Sequence, residues 1–261
     1  MERALINWLP TWPFILLLVI VISCVTTLIF FLTRHFIPNF IRKEQGHFLT
    51  IFGEIIIVIY AFLLGFVIIS LWQILNQATN VTAAEANYLS LMTFDAFALP
   101  TPIQTEILDA IGQYIKHVVQ DEWKTMRWGH ASQLAQNAIG NLFHVIQSYN
   151  PQTETEKTFY HEIIVNLNNA LENRRLRLNN VESALIDPLR FILIFGIFLI
   201  SFILSLAETK NRYTHLFIVL IACSLLSFSV GLAFVLDYPF SGEIAVSNKV
   251  FSTGVLSRFQ F

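Results

Sequence analysis

The feature that most constrains this chain is a set of four apolar runs without a charged residue: Phe14–Leu32, Ile55–Ile74, Phe191–Ala207 and Leu216–Leu236. They are 19, 20, 17 and 21 residues long. Each is close to the roughly 20 residues a helix needs to cross the hydrocarbon of a bilayer. A helix that is apolar all round has no face to turn to water, so it needs lipid or a large protein core around it. Composition decides between the two. Of 261 residues, 55% are apolar and 13% charged, against roughly 25% charged in a soluble domain. That is too little charge to clothe a globule of this size, which excludes a soluble enzyme and a disordered chain. A net charge of -2 offers no electrostatic footprint for nucleic acid.

The first run also has the outline of a signal peptide, and Val21-Ile22-Ser23-Cys24 loosely resembles the sequence before a lipid-modified cysteine. The apolar stretch continues through Val25 to Leu32, however, and is long enough to span, so an uncleaved anchor is the expectation. Cys24 and Cys223 both fall inside expected spans. There they act as small apolar residues rather than a disulfide framework.

The expected fold class is all-α, with four transmembrane helices in a 2 + 2 plan and a helical extramembrane insert between the second and third. The boundaries read as a first hairpin at 1–74, the insert at 75–187, a second hairpin at 188–236 and a C-terminal tail at 237–261. The first hairpin turns through Thr33–His47 with Pro38 as breaker, and the second through Glu208–His215. Within the insert, apolar residues recur at helical spacing: Ile103, Ile107, Ile111, Tyr114, Val118 in one stretch and Phe159, Ile163, Leu167, Leu171 in another. Thr101-Pro102-Ile103-Gln104 and Thr153-Glu154-Thr155-Glu156 have the form of helix starts. The second of these helices is expected to run to about Ala184, and Asp187-Pro188 to open the third span.

Four spans put the termini and the insert on one side. The short turns carry Arg34, Arg42, Lys43, Lys210 and Arg212, which by the positive-inside rule places them in the cytoplasm and the insert outside. Arg174, Arg175 and Arg177, in the insert, pull the other way.

Projected at 100° per residue, Glu54, Ala61, Gly65, Ile68 and Trp72 of the second span share one face. Ile56, Ile59, Leu63, Val67 and Ile74 lie opposite. No Pro or Gly interrupts the chain between Leu75 and Leu99, so one helix is expected to continue, taking the same face through Asn76, Thr79, Ala83, Asn87 and Ser90. Small and polar residues along a membrane helix have two meanings. They let helices pack closely, as Ala61-x-x-x-Gly65 would, or they line a water-filled path. Glu54 is the only acid in the stretch from Phe48 to Leu75. A carboxylate at membrane depth faces protein or water, and its nearest candidates as partners are His47, His215 and Arg212. Arg190, opening the third span at the other side, is expected to reach headgroups.

Other constellations fall short of chemistry. His161-Glu162 opens like a zinc-protease helix, but Val165 stands where the second histidine belongs. His117 and Asp121 form an i, i+4 pair, and His130 and His144 add no metal-ligand spacing. No phosphate loop or nucleophile elbow is present. No catalytic residue, metal or other cofactor is therefore expected.

Leu64-Gly65-Phe66 in the second span is followed by Glu85-Ala86-Asn87, by Pro100 before a helix carrying Tyr114, by Glu122-Trp123, and by Asp237-Tyr238-Pro239-Phe240-Ser241-Gly242 after the last span. In these residues and their separations the chain resembles the bestrophin-like domain family, over most of its length. The resemblance implies structural roles for Glu85, Asn87, Tyr114, Glu122, Trp123, Asp237, Pro239, Phe240 and Gly242. It implies a more distant likeness to bestrophins, which are oligomeric anion channels whose second membrane helix lines the pore and whose insert is cytoplasmic. That last implication opposes the charge count, and the side of the insert stays open. A calcium-clasp run of acids is missing, so calcium gating is not implied. By its projection Glu85 lies away from the stripe and is expected to tie the insert together. The tail, with Ile244, Val246, Val250 and Phe251, is expected to pack back on the protein.

The leading expectation is a homo-oligomeric, channel-like membrane protein of the bacterial inner membrane. Glu54, Ala61, Gly65, Ile68, Trp72, Asn76, Thr79 and Asn87 would line an axial path. Its partners would be lipid, further copies of itself and a permeating inorganic ion, with no nucleic acid. A non-conducting membrane scaffold or sensor whose insert binds a partner is the alternative, and an enzyme comes third.

Overall fold

The computed structural model describes residues 2–36, 43–206 and 211–259, with the side chains of 43–50 left out. Every regular element among the described residues is helical. In chain order they are α1 (Glu2–Trp8), α2 (Thr11–Phe36), α3 (Lys43–Ala96), α4 (Thr101–His117), a π-helical turn (Val118–Glu122), α5 (Trp123–Met126), α6 (Gln133–Ser148), α7 (Glu154–Asn179), α8 (Asp187–Leu206) and α9 (Arg212–Leu236). Two 3-10 turns, Asn248–Ser252 and Gly254–Phe259, follow. The helices α2, α8 and α9, and Ile51–Ala96 of α3, are long and apolar enough to cross a membrane.

Both hairpin turns are shorter than the sequence suggests. Thr33–Phe36, Lys43–His47 and Arg212–His215 are helical. Pro38, Arg42, Glu208 and Lys210 lie outside the described residues. Helix α9 starts this early because Asn211 caps it, its side-chain oxygen accepting from the N–H of Tyr213 and Thr214.

The chain divides into two compact units, Met1–Gln73 with Ser183–Asp237 and Ile74–Glu182 with Tyr238–Phe261. In the first, α2 packs on α8 and α9, and Tyr60, Leu64, Val67 and Leu71 give α3 its buried face there. Glycines permit the closest approaches. The Tyr60 ring lies where a side chain on Gly196 would stand, and its hydroxyl donates to the Leu193 carbonyl at 2.5 Å. Gly231 receives Ile15, with a Cβ there 3.3 Å from its side chain. Buried hydroxyls return to their own helix: Ser205 to the Ser201 carbonyl at 2.6 Å and Ser227 to that of Cys223 at 2.5 Å. In lipid such bonds satisfy a polar group without help from another segment.

The second unit has a core of Leu89 and Met92 from α3, Ile107, Ile111 and Tyr114 from α4, Ile139 and Leu142 from α6, and Ile163 and Leu167 from α7. Its helix starts differ in detail from expectation. Helix α4 begins after Pro100 with no side-chain cap, because Thr101 is already helical and Thr105 donates back to its carbonyl. At α7, Thr153 does cap, accepting from the N–H of Glu156. Helix α7 ends at Asn179, short of Ala184, since Asn180 stops it by donating through its side chain to the Leu176 carbonyl at 2.9 Å. The tail packs through Val246, Phe251 and Leu256, whereas Ile244 is exposed.

Candidate functional site

Helix α3 runs unbroken over 54 residues, and along it the faces differ. In the first unit Glu54, Ala61 and Trp72 are exposed and Gly65 and Ile68 half-buried, one position on from the buried Tyr60, Leu64, Val67 and Leu71. In the second unit Asn76, Thr79, Ala83 and Asn87 are exposed, while Ala78, Val81, Thr82, Glu85, Ala86 and Leu89 are buried. A side chain built on Gly65 would meet nothing within 4 Å. Ala61-x-x-x-Gly65 therefore does not serve close packing inside this chain. That role falls to Gly196 and Gly231, which no sequence motif marks.

Glu54 is exposed, and His215 is not turned to it. The Arg34 guanidinium meets His215 Nδ1 at 3.0 Å and stacks on Phe30. His47 lies among the undescribed side chains.

The second unit holds its charges inside. Arg177, fully buried, donates through Nε to Glu85 Oε2 at 2.7 Å and through Nη2 to Glu85 Oε1 at 3.0 Å. The same Nη2 reaches Glu122 Oε2 at 2.8 Å. Arg174 donates to the other Glu122 oxygen at 2.6 Å and to Gln136 at 2.5 Å. The Tyr114 hydroxyl donates to Glu85 Oε1 at 2.5 Å. Two carboxylates face two guanidiniums, so the cluster is neutral and well supplied with hydrogen bonds, the condition for burying such charge. Burial works against the Arg177 cation, but the charge and hydrogen bond of Glu85 outweigh it and hold its pKa above the ordinary value. Burial, then the Glu85 charge, pushes the Tyr114 hydroxyl well up. It stays a donor at any physiological pH.

Local structure explains the convergence. Ile163, Leu167 and Ala170 set the buried face of α7, and Arg174 and Arg177 continue it at the same spacing. The π-helical turn puts one extra residue into the winding after Tyr114 and Val118, and Glu122 at its end is buried. Trp123 then donates from its indole to the Val246 carbonyl at 3.1 Å. Its ring meets Phe240 and Phe251 edge-on and lies 5.2 Å from the Arg177 guanidinium carbon. Asn87, one turn or less from Glu85, is outside this cluster and exposed.

The Asp237–Gly242 segment divides at the boundary between the units. Asp237, in the first, is fully buried and accepts from Ser183 Oγ, from the Leu185 N–H at 2.7 Å and from Arg190 Nη2 at 2.7 Å. Arg190 also lies 3.3 Å from Glu2 and 3.7 Å from Asp187. Its guanidinium is thus built into an ionic knot with Glu2, Asp187 and Asp237. In the second unit the Pro239 carbonyl accepts from Val246 N–H at 2.9 Å and Ser241 bonds the Arg127 carbonyl. Gly242 takes a φ of +76°, a conformation other residues rarely adopt.

His117 and Asp121 meet at 2.8 Å. Among the described residues no group of three His, Cys, Asp or Glu is placed to hold a metal ion.

The Bestrophin-like domain family matches residues 20–251, from the first membrane helix to the tail that covers Trp123. The chain belongs to the bestrophin-like domain family. No curated protein and no solved structure matches it. This bestrophin-like chain is a multi-pass integral membrane protein with an all-helical fold.

Proposed function

We propose that the protein assembles as a homo-oligomeric ring in the bilayer and conducts ions along an axial path faced by α3 of every subunit. The observation that carries this reading is the α3 stripe. Glu54, Ala61, Gly65, Ile68 and Trp72, then Asn76, Thr79 and Asn87, are left uncovered or half-covered while the neighbouring face is buried. Lipid alone would favour bulky apolar residues at such positions, and close packing within the chain leaves Gly65 open. A ring follows because four spans have little room for a path within one subunit, and closed homo-oligomers are the usual arrangement. Membership of the family supports the same reading, through its likeness to channels.

The likeness is to anion channels, but the charge on the lining favours cations. From Ile51 to Ala96 the helix carries Glu54, Glu85 and Asp95 and no Lys, Arg or His. Glu85 is held by Arg177 and Asp95 accepts from Asn166 at 2.9 Å, which leaves Glu54 as the exposed carboxylate on the stripe. Leu75–Asp187 contains 12 acids and 7 bases. The buried cluster takes two of each, so the surface keeps the whole acidic excess. An acidic mouth concentrates cations.

Planar-bilayer recording of the purified protein tests the proposal. Unitary currents are expected, with a reversal potential in a KCl gradient displaced toward that of K+, and with conductance altered in Gly65→Phe and Ala61→Phe. A displacement toward chloride would retain the path and overturn the cation assignment. Silence at both polarities across several salts, from protein shown to form rings, would favour the non-conducting scaffold.

A further inference from the structure

The exposed aromatic residues at the start of the chain form a surface separate from the α3 stripe. Helix α1 is only seven residues long, about 10 Å. It buries Ile6, while Leu5 and Trp8 point away from the protein, Trp8 being 80% exposed. Trp12, in the first turn of α2, is 64% exposed. Both ends of this short segment are tied to one end of the first unit. Glu2 lies 3.3 Å from Arg190, which also holds Asp237 at the end of α9. The Trp12 ring lies 6.1 Å from that of Phe228, in the later turns of α9. The start of α1 and the first turn of α2 are thus tied to α8 and α9 of the first unit.

We infer that α1 lies in the membrane interface, with Trp8 and Trp12 seated at lipid-headgroup level. The occupant of this face is lipid, for two reasons. The patch is continuous with the exposed apolar surface of α2, through Leu16, Leu17 and Ile20, and at the same end Ile186, just before α8, and Phe191, in its first turns, are exposed. Beside it, Asp187 is 97% exposed in its side chain and Glu2, Arg190 and Asp237 form the ionic knot, so apolar and charged surface meet within one turn. An indole suits that boundary, because its ring is apolar and its N–H finds water or a headgroup oxygen.

The test is tryptophan fluorescence of the full chain in phosphatidylcholine vesicles whose acyl chains carry bromine either just below the headgroup or near the chain ends. Shallow bromine is expected to quench at least twofold more than deep bromine. In Trp8→Phe/Trp12→Phe that shallow quenching falls by half or more, and each single variant falls between. Unchanged quenching in the double variant would mean that protein, such as a second copy of the chain, covers both indoles, and would overturn the inference. Stronger quenching by deep bromine would overturn it as well, by putting the indoles in the hydrocarbon. Should the double variant fail to fold, the single variants give the same reading. Quenching that survives without Trp8 and Trp12 comes from the remaining indoles, Trp72, Trp123 and Trp128, of which the proposed axial path would shield Trp72 from lipid, so the two ideas fail separately.

Discussion

Away from its ends, the unit of Met1–Gln73 and Ser183–Asp237 buries hydroxyls: Thr26, Ser201, Ser205 and Ser227. The unit of Ile74–Glu182 and Tyr238–Phe261 buries Glu85, Glu122, Arg174 and Arg177. The difference concerns how each interior is held. A serine bonded to the carbonyl one turn back, as Ser205 and Ser227 are, depends on no distant residue. What distinguishes that unit is shape, seen in the Tyr60 ring over Gly196. The buried charges instead join helices far apart in sequence, since Glu85 and Arg177 are 92 residues apart. The first interior should therefore be sensitive to volume and the second to charge.

The largest effect is expected from Arg177→Met, which leaves Glu85 and Glu122 buried without their shared cation. Breaking a buried pair in this way costs about 3–5 kcal/mol, to be measured by denaturant or thermal unfolding in detergent. Lys at the same position should not rescue it, because a single ammonium cannot make the two-pronged contact with Glu85. A loss below about 1 kcal/mol would mean that apolar packing, not charge, organises this unit.

Next comes Gly196→Val, which drives a side chain into the Tyr60 ring. Overpacking of this kind costs about 1–3 kcal/mol, and Tyr60→Ala in the same chain should recover part of it by vacating the space. If the double variant were no better than the single, the two residues would not share the site described. Tyr114→Phe should be milder. It removes one hydrogen bond to Glu85 while both Arg177 contacts remain, a loss of about 1 kcal/mol.

Much of this arrangement is legible in the amino-acid sequence. Length and apolarity mark the spans, and the absence of Pro and Gly after Leu75 marks the continuous α3. Family resemblance singles out Glu85, Glu122 and Trp123, but not the charges that neutralise the two acids. Arg174 and Arg177 look like free positive charge bearing on topology. The signal for their burial is present in the register, because the interval from Ile163 through Leu167 and Ala170 lands on both arginines. It is hidden because an arginine on a core face ordinarily marks the end of that face. The π-helical turn is a different matter. It adds one residue to the winding, and a search at a fixed 3.6-residue period cannot anticipate it. Nor does the sequence disclose the role of Gly196, since a glycine among bulky residues does not name the distant ring it accommodates.

The smallest effect should come at the surface, where the same logic of charge applies in water. The Tyr149 hydroxyl donates to Glu156 Oε2 at 2.7 Å and the Gln152 N–H reaches the same oxygen at 2.8 Å. The tyrosine bond, then the backbone one, holds the Glu156 carboxyl below its ordinary range. A carboxylate with a depressed pKa contributes stability that is present above its unfolded pKa, about 4.3 for Glu, and is lost as the pH falls through the lower folded value. Tyr149, pushed up to about 12 by the Glu156 bond and then by burial, contributes stability that declines as pH rises from about 10, its unfolded value, toward the folded one. Tyr149→Phe should lower the neutral plateau of a stability profile against pH slightly and flatten both limbs, because the stability it removes is the part that is otherwise lost at either end. An unchanged acid limb would show that the Gln152 contact alone sets the carboxyl.

Gly65→Phe bears on the comparison from the other direction. With nothing near a side chain there, folding of the single chain should change by no more than about 0.5 kcal/mol, although conductance is expected to respond. A marked loss of monomer stability would mean that the stripe is covered within the chain.

The central claim is that these stripes meet around an axis. Particle images of the full-length protein purified in mild detergent or lipid discs test it most directly. The expected result is a closed ring of identical subunits with the Ala61 and Gly65 faces of α3 toward the symmetry axis. A monomer, or a ring whose α3 helices lie at the periphery with that face against lipid, would contradict it.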